Sequence, residues 1–240
     1  MKIHSAAVSL IALGLMLAAS VAAAADASVG RASRITGERS SSAQAPGGPV
    51  RKLAQGDPVF AGERIRTGAG TVLEIEFTDK SLFTLGPNTE FEVERFLQAA
   101  GGTGEEAFSS RVFKGAFRFV SGLIARRKHE NVHITIAVAT IGIRGTRFEG
   151  EVSERHEQDG KTVDASAKVA LLEPEGSGGN AIVVENKFGS VVIDKPGYGT
   201  EIPDEKSPPS PVKRMQLRTI ENLQRSLRTP GGTGGPMRRF

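Results

Sequence analysis

The 240-residue chain contains no cysteine. This removes disulfides, thiolate metal ligands, a cysteine nucleophile and a lipid anchor on an N-terminal cysteine. Stability must then come from packing, and the roughly 215 residues beyond position 25 are enough to bury a core. Catalytic signatures are missing as well. There is no Gly-x-Ser-x-Gly elbow, no His-Glu-x-x-His helix and no isolated acidic pair in an apolar setting, so no enzyme is expected. Gly101-Gly-Thr-Gly104 is followed by Glu105 and Glu106, which would repel an anion, where a phosphate loop needs Lys-Ser/Thr and a helix. His129, His133 and His156 lack paired metal spacing. Residues 129 and 133 would meet only on a helix, and in a strand they lie about 13 Å apart. No cofactor and no metal is expected.

Positive charge is concentrated in one place. The net charge is +4, yet Lys213, Arg214, Arg218, Arg225, Arg228, Arg238 and Arg239 against Glu221 put +6 on the C-terminal tail, and Lys2 adds one more. Residues 26–212 therefore carry −3 and have no footprint for a phosphate backbone, so nucleic acid is not an expected partner.

The ends of the chain differ from its middle. Residues 5–25 are uncharged, with an apolar core at 8–18 and Ala23-Ala-Ala25 before Asp26. That pattern reads as a signal peptide cleaved after Ala25. The rival reading is a retained anchor, since about 20 apolar residues can just span a bilayer; alanine richness and the small-residue end favour cleavage. The expected location is the periplasm or cell surface. Residues 26–49, polar and broken by glycine and proline, read as a flexible leader with one short strand near 29–35. Residues 203–211 are a Pro-rich linker. Residues 212–228 place Leu217, Ile220, Leu223 and Leu227 at helical spacing with arginines opposite, an amphipathic basic helix that packs on the domain or meets a partner or membrane. Residues 229–240 are expected to be disordered.

Between the ends, short alternating segments recur with turn signals between them. Leu73, Ile75 and Phe77 share a face, as do Phe117 and Phe119. Lys114-Gly115 reads as a hairpin between 108–113 and 116–120, and 162–172 as one strand. Glu90, Glu92 and Glu94 form a solvated sheet face rather than an acid/base pair. Arg126, Arg127 and Lys128, with His129, form either a solvated connection or a docking patch for an acidic partner. The expected fold of residues 50–202 is all-β, a single sandwich or roll of many short, mostly antiparallel strands, followed by the C-terminal helix.

The most specific stretch is 137–148. Val132, Ile134, Ile136 and Val138 alternate along a strand that ends at Gly142 and runs into Arg144-Gly145-Thr146. Gly142 and Gly145 are placed for positive φ or close backbone approach. Arg144 is then either a buried anchor tying neighbouring strands or an anion-binding group, and the missing phosphate loop, base and metal cluster favour the anchor. Gly56-Asp57 precedes a strand, Thr67-Gly68 ends one, Asp79-Lys80-Ser81 joins two, and Gly86-Pro-Asn88 forms a turn. Together and in this order, over roughly residues 50–150, these motifs resemble the FecR domain family, the periplasmic domain of ferric-citrate-type regulators. Lys80 departs from the family pattern, which has glycine there. A lysine disfavours the type I′ turn, so another turn type is expected. Only four or five residues precede the apolar run, so the resemblance implies a standalone exported form without the anti-sigma segment. It also implies a non-enzymatic module that binds another envelope protein through a strand edge or the 126–129 loop. The alternative is a membrane-anchored accessory regulator of iron-uptake-type signalling. Membrane contact is expected only through the N-terminal apolar run or the basic helix.

Overall fold

The computed structural model describes residues 27–38, 40–99, 104–172 and 181–215. Strands, numbered in chain order, form two curved sheets that share one long strand, β9 (Ala107–Val120). The first sheet runs β4 (Pro58–Val59), β1 (Gly30–Gly37), β6 (Thr71–Phe77), β7 (Leu82–Leu85), the second half of β9, β12 (Arg147–Ser153), β15 (Ser166–Leu171), β18 (Tyr198–Ile202) and β19 (Lys213–Arg214). The second runs β3 (Val50–Lys52), β2 (Ser41–Gln44), β5 (Arg64–Thr67), β8 (Glu90–Leu97), the first half of β9, β10 (Val132–Ile136), β11 (Ala139–Arg144), β16 (Ala181–Asn186) and β17 (Gly189–Ile193). Only β9–β10 is parallel; every other described pair is antiparallel. A hairpin of β13 (His156–Gln158) and β14 (Lys161–Val163) stands apart, and one short helix, α1 (Leu123–Arg127), precedes a 3-10 turn at His129–Asn131. The chain is all-β apart from these two turns of helix, as the alternating pattern predicts.

The core is one cluster into which both sheets send alternate side chains. Phe77 and Phe83 of the first sheet meet Phe108 and Phe91 of the second at ring-centroid distances of 4.8 and 4.4 Å. Phe108 and Phe119, both on β9, meet at 5.7 Å from opposite sheets. Seven phenylalanines are fully buried, each worth about 1.5–3 kcal/mol of transfer free energy. With no disulfide available, this interdigitation supplies the cohesion.

Several expectations are corrected. Lys114-Gly115 is not a hairpin: β9 passes through it from one sheet to the other, with Gly115 at φ 98 as the bend. Inward residues change from even numbers (108, 110, 112) to odd (117, 119) across that bend. Residues 132–142 are not one strand, because Ala137-Val138 turns the chain back and restarts the alternation. Residues 162–172 break at 164–165 into β14 and β15. The expected leader contributes β1 and β2. The 203–211 linker is a strap, not a free spacer. Asn186 donates to the Ser207 carbonyl on one side, while Ser210 N–H and the Thr200 hydroxyl bond the Glu201 and Ser210 carbonyls on the other. Residues 213–214 are strand, so a helix does not begin at 212. The expected signal peptide, the rest of the expected amphipathic segment and the terminal tail lie outside the described residues.

Candidate functional site

The turn motifs of the sequence interlock at two points. At the first, the Thr67 hydroxyl donates to the Gly86 carbonyl (2.6 Å) and accepts from the Thr89 N–H (2.9 Å), while Thr67 N–H bonds the Thr89 carbonyl. Asn88, at φ 54, returns its N–H to the Gly68 carbonyl, and Gly68 bonds Ser40. A Cβ at Gly68 would lie 2.7 Å from Ser40 Oγ. Gly86 N–H and the Thr89 hydroxyl both bond the Ala116 carbonyl, next to the Gly115 bend. A Cβ on Gly115 would come within 2.6 Å of Thr89 Cα and closer still to its hydroxyl. Thr67, Gly68, Gly86, Asn88, Thr89 and Gly115 thus form one knot that lets β9 cross between sheets.

At the second point, the Asp79 carboxylate accepts from Ser81 N–H (3.0 Å), Ser81 hydroxyl (2.6 Å) and Ile124 N–H (3.3 Å), and the Asp79 carbonyl accepts from Leu123. Asp79, Ser81 and Ile124 are buried, and a Cβ on Gly122 would sit 2.7 Å from Asp79 Oδ2. Lys80 stands at φ 70 with Lys80 N–H on the Phe77 carbonyl and Phe77 N–H on the Ser81 carbonyl. This is a type I turn closed by a left-handed residue, the three-residue hairpin that replaces the type I′ form. Gly145, at φ 56, aims the Thr146 carbonyl at Ser121 N–H. Both motifs therefore grip the same segment, 121–124. The carboxylate of Glu106, fully buried, is forked by Arg127 (3.0 and 2.5 Å), whose hydrogen bonds hold the Glu106 carboxyl below the usual range and raise Arg127.

The remaining motif residues separate. Gly56, at φ 94, and Asp57 form a turn in which Asp57 accepts from Ala54 N–H and pairs by backbone with Ala32 of β1. Gly142 lies mid-strand without positive φ, and a Cβ there would meet only Val183 at 3.9 Å. The expected need for glycine is absent. Arg144 is exposed and makes no hydrogen bond or ion pair to a described residue, so the buried-anchor reading is overturned. Ile141 and Ile143 take the core positions and alternation turns Arg144 outward. Of the basic run, Arg127 is committed to Glu106, whereas Arg126 and Lys128 remain exposed. Glu90, Glu92 and Glu94 are not free carboxylates: Arg64, Arg66 and Arg111 pair with them across strands, and Arg64 lies 3.9 Å over the Phe113 ring. Sequence reasoning missed Gly115, Gly122 and Glu106, whose constraints come from residues 26, 43 and 21 positions away and leave no local pattern.

None of the acidic or histidine groups of the described residues cluster as a metal site, and no described helix is long and apolar enough to cross a membrane. A hollow lined by Arg111, Thr135, Glu154, Arg155 and Glu205 has its charges already paired, Arg155 with Glu205 and Asp164, Arg111 with Glu94.

The four sheet edges are unequal. β4 has two residues, one of them proline; β19 has two, both basic; β3 has three, with Arg51 and Lys52. β17, Gly-Ser-Val-Val-Ile, has five residues with neither charge nor proline, the devices that normally guard an edge. Val192 is 59% exposed and Phe188, in the turn before it, 44%. Because Asn186 and Gly189 flank a two-residue turn, alternation directs the N–H and C=O of Ser190 and Val192 to the open side.

Residues 63–173 match the family described as FecR protein. No curated protein matches the chain. Among solved structures, two of a candidate anti-sigma factor from Parabacteroides distasonis are similar, at 10% and 11% identity and TM-scores of 0.47 and 0.46. Each alignment covers 67% of this chain and 63% or 64% of that one, so the chain spans less than two thirds of those structures. The interlocking turn residues Thr67, Asp79, Gly86, Asn88 and Gly145 all lie within residues 63–173, the stretch that matches the FecR family.

Proposed function

We propose that this chain is a non-enzymatic, regulatory binding module of the bacterial envelope, which takes up an extended strand of another envelope protein along β17. The unguarded β17 edge is the observation that carries this. Strand addition draws affinity from main-chain hydrogen bonds, here to Ser190 and Val192, and specificity from alternate side chains, here beside Val192. The turn motifs serve the fold, which leaves the edge and not the motifs for recognition. The match of residues 63–173 to the FecR family supports a signal-transduction role, and the apolar run at 5–25 supports export to the periplasm or surface.

The test is capture of envelope partners by the full chain and by two variants. Val192→Pro removes an N–H that points away from β16, so folding is kept while strand addition is blocked. Arg126→Glu with Lys128→Glu reverses the basic patch. Loss of capture with Val192→Pro alone supports the edge. Loss only with the charge reversal moves the site to the 126–128 patch.

A further inference from the structure

The outward face of the first sheet is covered where an outward face should be wet. Thr84, Arg118, Glu149, Ala170 and Gly199 lie side by side across β7, β9, β12, β15 and β18. Their neighbours Phe83, Phe119, Phe148, Val169 and Leu171 point into the core, so this row faces away from the second sheet. Yet Glu149 and Ala170 are fully buried, Leu172 and Thr84 are each 8% exposed, and Met215 is buried with Ala170 in a small cluster separate from the core. Glu149 Oε1 is held by Arg118, while Oε2, also buried, accepts no hydrogen bond. A buried carboxylate oxygen in that state is short of a hydrogen-bond donor.

We propose that this face is the dock for the chain's own basic amphipathic segment, residues 216–228. The chain leaves the described residues at the right place: Met215 N–H bonds the Gly197 carbonyl and its side chain sits over Gly199, where a Cβ would lie 3.0 Å from the sulfur. Thirteen residues of helix span about 20 Å, and crossing from β15 to β7, four strands at about 4.8 Å spacing, takes about 15–20 Å. Leu217, Ile220, Leu223 and Leu227 supply an apolar stripe for Leu172, Val120 and Leu82, all in one cross-strand row, and the arginines of the segment supply a donor for Glu149 Oε2. The other chain segment that starts nearby, residues 173–180, is acidic and glycine-rich, with no apolar side chain to bury.

Because the chain has no cysteine, one introduced thiol reads the cover directly. Thr84→Cys, three strands away from Ala170 and Met215, is labelled with a maleimide in the full chain and again with Leu217→Asp and Leu223→Asp added. The expected result is slow labelling that rises at least tenfold in the triple variant, with strand content by circular dichroism unchanged in both. Equal rates in the two proteins overturn the proposal, since Arg118 and its neighbours would then be the whole cover. Fast labelling in the first protein overturns it too. Should Thr84→Cys lower strand content, Leu172→Cys replaces it with the same two outcomes.

Discussion

Replacing Thr67 by valine keeps the shape and removes one hydroxyl, so it isolates the knot that joins the two sheets. The hydroxyl is buried and serves two backbone groups, donating to the Gly86 carbonyl and accepting from the Thr89 N–H. Valine leaves both groups without this partner, away from water. Each buried unsatisfied group costs about 1–3 kcal/mol, so Thr67→Val should destabilise by about 2–4 kcal/mol. For a domain of this size that corresponds to a fall in Tm of roughly 5–15 °C. Thr67→Ser keeps the hydroxyl and loses one methyl group, a cost of about 1 kcal/mol. Urea unfolding of the three proteins, with equal m-values, gives the differences. A Thr67→Val protein within about 0.5 kcal/mol of the parent, below any one unsatisfied group, would refute the account of the family motifs as fold-forming.

Other consequences are open to the same assay. Lys80→Gly relieves a left-handed residue costing about 1–2 kcal/mol; after the larger unfolded-state entropy of glycine and the loss of an exposed Glu76 pair, a gain of about 0.5–1 kcal/mol is expected, read as a higher urea midpoint. Gly115→Ala combines positive φ with overlap on Thr89 and should cost about 2–4 kcal/mol, or prevent folding. Hydrogen bonds from Arg31 hold Glu76, and from Arg127 hold Glu106, below the usual carboxylate range; Glu90, which burial pulls upward, is carried the same way by Arg66 and Arg64. Groups depressed in the folded state contribute stability that is complete above their unfolded pKa. Midpoints should therefore hold steady from pH 7 to about 5 and fall below about 4.5, and Glu106→Gln should flatten part of that fall.

Much of the β domain is legible because alternation is a local signal: Leu73, Ile75 and Phe77, or Phe117 and Phe119, announce their faces within a few residues. The same signal misleads where the chain changes phase. Ala137-Val138 turns the chain without glycine, so Val138 looks like one more strand position, and the register past it, which sends Arg144 outward, is misread. At Gly115 a glycine beside a lysine resembles a hairpin, and only the Thr89 contact from β8 shows that the strand continues. Burial of Glu106 is equally invisible locally, since it is made by Arg127 and by packing from distant strands. The motifs told the family but not their purpose. Thr67 and Asp79 stand out as polar residues in a set pattern, and the structure assigns them to backbone groups of the protein itself.

The claim that β17 receives a partner strand is tested most directly by placing a photo-crosslinking amino acid at Ser190 of the full chain in its native envelope, with the same probe at Arg126 as comparison. The account predicts one protein crosslinked from position 190, none from 126, and loss of the product when Val192→Pro is added. Crosslinking from position 126 alone, or a position-190 product that survives Val192→Pro, would contradict it.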